Sequence, residues 1–252
     1  MPAGGTYSVK EIFLTVQGEG ARAGSKAVFL RFTGCNVWTG RPQDRSKGKG
    51  ACAAWCDSDF FKGKNMTTRQ IVERLDELWP DDGKHQRWVV LTGGEPALQW
   101  DMTLRYALED ADWFVAMETN GTVLLQAPVD WLTVSPKLGT KLVVTRGDEL
   151  KVVLPGVAPG TTEQGWTAEQ GWTDEQLEQL AGVKRFEHKF VQPQDVVRPE
   201  ATGETLLSRN LTHPMHTAEA LFRTSVKRCL DFINTHPDWR LSYQVHKAIG
   251  VP

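Results

Sequence analysis

The residue types best suited to difficult chemistry gather near the start of the chain. Cys35, Cys52 and Cys56 fall in one early stretch, and the remaining cysteine, Cys229, stands far away. Thiolates are soft ligands that suit iron–sulfur centres. A cubane 4Fe–4S cluster held by three cysteines keeps one iron without a protein ligand, open to a small molecule. The pattern Cys35-x16-Cys52-x3-Cys56 also admits a structural zinc site completed by another His or Cys, because a short Cys-x3-Cys pair lies inside the zinc range. Unrelated reduced thiols are a further reading. Spacing alone does not separate these chemistries.

A second set of reactive segments follows short apolar runs. Runs at Ala27 to Phe32, Trp88 to Leu91, Trp113 to Met117, Trp131 to Val134, Leu150 to Leu154, Phe186 to Val191 and Arg240 to Val245 read as strands. Thr33-Gly34-Cys35 follows the first, and Thr92-Gly93-Gly94-Glu95-Pro96 the second. Glu118-Thr119-Asn120-Gly121, Ser135-Pro136-Lys137 and Gln192-Pro193-Gln194-Asp195 follow later ones. Between runs lie amphipathic patterns. Thr67 to Trp79 carries apolar residues on one helical face, opened by a Thr67/Gln70 capping box and closed by Pro80. Thr217 to Asn234 repeats the pattern, with Cys229 on its apolar face as a core thiol. A further helix is expected near Asp174 to Leu180.

Strands alternating with helices predict βα units and a mainly parallel sheet. In a parallel barrel the carboxyl ends of the strands share one face and build the active site there. Five polar segments would then converge, which is the organisation of an enzyme. Gly40 to Gly50 is polar and basic and reads as a flexible loop between the cysteines. The near-repeat of Glu163 to Thr167 in Glu169 to Thr173 reads as part of a surface insertion over about residues 157–182, with no chemistry assigned.

Composition narrows the class. The chain has 252 residues, of which 40% are hydrophobic and 24% charged, with net charge -2. Those values suit one soluble α/β domain spanning residues 1–252 and give no electrostatic footprint for nucleic acid or an anionic membrane. Met1 to Lys10 shows no signal-peptide pattern, and no apolar run approaches a membrane span. A cytoplasmic location is expected, where thiols stay reduced.

The motifs, taken in order, resemble those of the 7-carboxy-7-deazaguanine synthase family of radical S-adenosylmethionine enzymes. The resemblance rests on Glu11-Ile12-Phe13, Val16-Gln17-Gly18-Glu19-Gly20, Leu30 to Asn36, Trp55-Cys56-Asp57-Ser58, the Gly93-Gly94-Glu95-Pro96 segment, Glu118 to Gly121, Ser135-Pro136-Lys137, Val191-Gln192-Pro193 and the tail from Leu241 to Pro252. This chain departs from the usual spacing in both cysteine gaps: residues 36–51 form a variable loop, and Cys52-x3-Cys56 is one residue longer than usual. Ser58 stands where the family carries Thr.

The resemblance implies an incomplete β/α barrel, a 4Fe–4S cluster on Cys35, Cys52 and Cys56, and magnesium near Ser58. It implies S-adenosylmethionine held by Trp55, Cys56, Asp57, Gly94, Ser135, Pro136, Lys137, Gln192, Pro193, Gln194 and Asp195. Substrate contacts would come from Val16, Gln17, Gly18, Arg31, Thr92, Glu118 and the carboxylate of Pro252. The implied reaction is radical ring contraction of 6-carboxy-5,6,7,8-tetrahydropterin with loss of ammonia, in queuosine and 7-deazapurine synthesis. A homodimer and an electron donor such as flavodoxin are implied partners. Bland readings stand beside these. Gly93-Gly94 could be an ordinary turn, Arg31 could pair with Glu95 or Glu118, and Glu118 could pair with Lys137 or Arg31. His246 reads more simply as a structural histidine. An activase acting on a partner protein and a zinc-stapled binding module are the competing functions.

Overall fold

The computed structural model describes residues 5–80, 83, 86–155, 171–183, 185–194 and 218–252. Asp195 and most of the expected insertion, residues 157–170, lie outside them. One nine-stranded sheet runs in the order β3-β1-β2-β4-β5-β6-β7-β8-β9 and does not close on itself. Its strands are β1 (Thr6–Val16), β2 (Lys26–Phe32), β3 (Lys64–Thr67), β4 (Arg87–Gly93), β5 (Trp113–Thr119), β6 (Trp131–Val134), β7 (Arg146–Leu154), β8 (Arg185–Pro193) and β9 (Arg240–Leu241). β1 is antiparallel to both β2 and β3, and the neighbours from β2 to β9 are parallel. The helices are α1 (Thr68–Leu78), α2 (Met102–Asp110), α3 (Asp174–Val183), α4 (Ala218–Thr235) and α5 (Val245–Ile249).

Alternation along each strand assigns its two faces. In β2, Val28, Leu30 and Phe32 join Val89 and Leu91 of β4 and Val115 and Met117 of β5 in a core shared with Ile71, Leu75, Leu104 and Leu108 of α1 and α2. A second core unites Leu150, Val152 and Leu154 of β7 with Leu177 of α3 and Cys229 and Phe232 of α4. Cys229 is therefore the core thiol expected. The opposite face is concave. Ala27, Val90 and Ala116 pack there with Phe29, Trp88 and Trp131 as an apolar floor. One residue pair further along the strands, the same face carries Arg31, Thr92, Glu118, Lys151 and Gln192 around a cavity.

β1 escapes sequence reading for a definite reason. Its register shifts between Val9 and Glu11. Tyr7 and Val9 point into the core before the shift, Ile12 and Leu14 after it, so the side-chain parity slips and the alternation is lost to the eye. At the other end, the strand expected over Arg240 to Val245 stops at Leu241. Ser242 Oγ donates to Gln192 Oε1 at 2.7 Å, and Val245 N–H donates to the Gly18 carbonyl at 2.9 Å. These bonds turn the chain off the sheet and into α5. Gly40 to Gly50 also differs from the expected open loop, since Pro42–Lys47 winds into a 3-10 turn.

The capping box is present as expected. Gln70 N–H donates to Thr67 Oγ1 at 3.3 Å, and Thr67 N–H donates to Gln70 Oε1 at 2.9 Å. Thr67→Ala should lower unfolding free energy by about 1 kcal/mol, read as a lower urea midpoint with unchanged slope. An unmoved midpoint would mean the reciprocal pair contributes nothing.

Candidate active site

A cavity of about 670 Å³ opens at the carboxyl ends of the parallel strands. The segments after β2, β4, β5 and β6 reach it through Cys35, Gly94, Asn120 and Lys137, and the end of β8 through Gln192. That convergence follows from parallel pairing, which sends every strand end the same way. Cys52, Trp55, Cys56, Asp57 and Ser58 line it, and so do Gln244, His246 and Pro252. Of the residues singled out in sequence, Val16, Gln17, Arg31, Thr92, Glu118 and Ser135 also border it. Gly18, Pro136, Pro193 and Gln194 stand beside lining residues instead. The Gln194 N–H faces away, donating to Leu154 O at 3.1 Å and Ser225 Oγ at 2.7 Å.

All three cluster-type cysteines are unbridged. Burial pushes the Cys35 thiol up and takes that of Cys52 to about 11. Both are therefore protonated at neutral pH until a metal displaces the proton. Val37 N–H points at Cys35 Sγ at 3.4 Å, and Trp38, Ala53 and Phe60 pack with Cys35 and Cys56. The indole N–H groups of Trp38 and Trp55 are buried without a protein acceptor. Among the described residues no three His, Cys, Asp or Glu side chains close on a single point; the thiols border one cavity from separate segments. Three soft donors with unsatisfied N–H groups beside them fit a sulfide-rich cluster larger than a single ion.

Gly93 and Gly94 have packing reasons to be glycine. A Cβ on Gly93, whose φ is +146°, would lie 2.3 Å from Phe32 O, and one on Gly94 would lie 2.1 Å from Gly34 O and 2.9 Å from the Cβ of Cys35. The β4 turn is thus pressed against the cysteine-bearing segment. Arg31 donates to Glu11 Oε1 at 2.7 Å, its direct neighbour across the β1–β2 pair, rather than to Glu95 or Glu118. Lys137 Nζ donates to Ser135 Oγ at 2.8 Å, and so does not hold Glu118.

Glu118 is held by a residue that sequence reading missed. The Lys151 side chain, 3% exposed, reaches Glu19 Oε2 at 2.6 Å and Glu118 Oε2 at 2.9 Å. Gln17 Nε2 donates to Glu118 Oε1 at 3.1 Å, and Gln244 Nε2 to Glu19 Oε1 at 2.6 Å. Burial raises the Glu118 carboxyl above the usual range, and Glu149 and Glu19 add to the rise. Burial opposes ionisation of Glu19 too, but the Lys151 ammonium and its hydrogen bond outweigh that and hold Glu19 low. Lys151 itself, disfavoured by burial, is kept charged by Glu118, Glu19 and Glu149. One buried cation is thus shared by two carboxyls, with Glu118 pushed up by burial and its acidic neighbours and Glu19 held down by Lys151. A lone lysine inside β7 gave no motif; only its parity with Glu149 and Val153 marked it. His246 packs where the sequence leaves a glycine. A Cβ on Gly18 would lie 1.7 Å from its Nδ1, so Gly18 leaves room for the imidazole at the cavity edge.

An open β/α sheet with three unbridged cysteines and a buried Glu118–Lys151–Glu19 group around one cavity has the layout of an α/β enzyme. No protein-family model matches the chain. Curated proteins named 7-carboxy-7-deazaguanine synthase do match. The one from Burkholderia multivorans is 40% identical over 98% of this chain and 100% of its own. That from Bordetella pertussis is 41% identical over 98% and 99%, and that from Caulobacter vibrioides 40% over 98% and 100%. The crystal structure of QueE from Escherichia coli superposes with a TM-score of 0.62, covering 96% of this chain and 95% of that one at 22% identity, a likeness of fold. The chain belongs to the 7-carboxy-7-deazaguanine synthase family.

Lys151→Met should cost about 3–5 kcal/mol at pH 7, because two carboxylates lose their buried cation. The deficit should shrink at pH 5: Glu19, no longer held low, can take a proton on falling pH and shed its buried charge. Urea unfolding at both pH values reads this, and a deficit identical at the two would refute the charge assignment.

Proposed function

We propose that this chain converts 6-carboxy-5,6,7,8-tetrahydropterin to 7-carboxy-7-deazaguanine and ammonia as a radical S-adenosylmethionine lyase, in queuosine and related 7-deazapurine synthesis. The observation that carries the reading is the junction, in one cavity, of three cysteines on one side and the Glu118–Lys151–Glu19 wall on the other. A 4Fe–4S cluster bound with S-adenosylmethionine supplies one-electron cleavage of the sulfonium and hence hydrogen abstraction. Cys35, Cys52 and Cys56 would hold the cluster.

The remaining work falls to the protein. Gly94, Trp55, Ser135, Lys137 and Gln192 border the space the cofactor would fill. Gln17 and the wall carboxyls offer acceptors for the amino and ring N–H groups of a pterin edge. The Arg31 guanidinium keeps donors beyond its single bond to Glu11 for the substrate carboxylate. Lys247 closes over Asp57 at 2.6 Å, which helps keep water from the cysteine side. Ser58 offers a hydroxyl, whereas its neighbours Asp57 and Asp59 are engaged by Lys247 and Lys10. A magnesium ion beside Ser58 would therefore draw its other ligands from substrate and water, as that ion commonly does. Homodimer formation, a flavodoxin-type donor and a cytoplasmic location accompany this reading. Among the described residues no helix is long and apolar enough to cross a membrane. The comparisons do not favour the activase alternative.

Anaerobically reconstituted protein given the carboxypterin, S-adenosylmethionine, magnesium and a chemical reductant should release ammonia and 7-carboxy-7-deazaguanine in equal amounts. Cys35→Ala, Cys52→Ala or Cys56→Ala should each abolish product and the brown colour. Full cluster occupancy without product from the wild type would count against the assignment.

A further inference from the structure

We propose that Arg45, in the variable loop, is a positioning residue that moulds the long Cys52-x3-Cys56 turn into a shape able to hold the cluster. The inference rests on the cluster assignment made above. It begins from two bonds: Arg45 Nη1 donates to the Ala53 carbonyl at 2.7 Å and Nη2 to the Cys56 carbonyl at 3.0 Å. Those carbonyls lie at the two ends of the Ala53 to Cys56 stretch, on either side of Ala54 and Trp55. From within the turn, Trp55 N–H and Cys56 N–H both donate to the Cys52 carbonyl, at 3.0 and 2.7 Å. The turn is therefore drawn tight by its own backbone inside and by one guanidinium outside.

The loop that carries Arg45 is itself anchored. Ala51 N–H donates to Leu138 O at 2.9 Å, and Lys49 N–H to Val37 O at 2.9 Å. A Cβ on Gly48 would lie 2.1 Å from the Cβ of Ala53, so the loop lies directly on the turn. The Arg45 guanidinium packs 4.6 Å from the Trp38 ring centroid, and Trp38 in turn meets Phe60 edge-on at 5.5 Å. A planar two-pronged donor fixed by an aromatic face can bridge two carbonyls at a set separation, whereas an ammonium on a flexible stem cannot. The two departures from the usual spacing are thereby connected. The lengthened first gap supplies the side chain that disciplines the lengthened second gap.

The test uses the full chain, reconstituted anaerobically and desalted, as wild type, Arg45→Gln, Arg45→Lys and Arg41→Gln. Arg41 lies in the same loop but its guanidinium sits 5.0 Å from the Phe61 ring, and no bond to the cysteine turn is assigned to it. Iron and sulfide per chain, and the rate of colour loss in air, are the readouts, with far-UV circular dichroism of the metal-free proteins as the folding control. Arg45→Gln and Arg45→Lys should both keep native circular dichroism, hold less than half the wild-type iron and bleach at least fivefold faster. Arg41→Gln should match the wild type. Equal iron and equal bleaching in the wild type and Arg45→Lys would overturn the clamp, as would a loss in Arg41→Gln as large as in Arg45→Gln. A wild type that binds iron but leaves the carboxypterin unchanged would overturn the proposed reaction while the clamp is still scored by iron. A wild type without iron would overturn both.

Discussion

The mouth of the barrel depends on one carboxyl group, that of Glu95, which has no exposed surface. It accepts from Thr119 Oγ1 at 2.6 Å, Asn120 N–H at 2.7 Å and Ala97 N–H at 3.0 Å, while its own N–H donates to Gly34 O at 2.9 Å. Burial raises its pKa, and the Thr119 and backbone donors oppose that rise. An acceptor so enclosed is stabilising because three donors meet it, two on Oε1 and one on Oε2; a donor left without it would cost about 1–3 kcal/mol. Through these bonds the ends of β2, β4 and β5 become one rigid unit. Asn120 passes the constraint on by donating to Asn36 Oδ1 at 3.1 Å, next to Cys35. The positions of Cys35, Gly94 and Glu118 all follow from that unit.

The open sheet explains how such a polar lumen is tolerated. Its floor is filled with Phe29, Trp88 and Trp131, and Arg22 caps Trp88 with its guanidinium carbon 3.5 Å from the ring centroid. Above that floor, charged side chains from β2, β5 and β7 line the cavity. Lys151 offsets two of the nearby carboxyls, and the Ala21 N–H meets Glu149 at 2.8 Å. Glu149 also shapes the chain before β2, since a Cβ on Gly20, at φ +66°, would strike its carboxylate at 2.0 Å.

Much of this was legible from residue types. The parallel strands showed because β-branched and aromatic runs ended in polar segments, and α1 showed because Thr67 and Gln70 announced its start. Cys35, Cys52, Cys56 and Gly94 could be singled out from the order of motifs, and the fold brings all four to one cavity. β1 was not legible, since a bulge reverses its parity, and neither was β3, whose four residues carry no periodicity; β9 was read, but its end was not, because the bonds that turn the chain off the sheet after Leu241 are tertiary. Lys151 and Glu19 went unassigned because an isolated charged residue in a strand or loop has many ordinary explanations. The Arg45 bonds were equally hidden, as basic residues in a glycine-containing loop read as solvated.

The order of side chains along the chain thus determined the fold class and the family, because hydrophobic period and the residue types of short motifs are local properties. Partnership was decided only in three dimensions. Arg31 meets Glu11, Glu118 meets Lys151, and His246 fills the space left by Gly18 because strand register and the turn after Leu241 bring together residues far apart in sequence. Which charge neutralises which depends on distances of a few ångströms in a low-dielectric lumen, and no linear pattern encodes them.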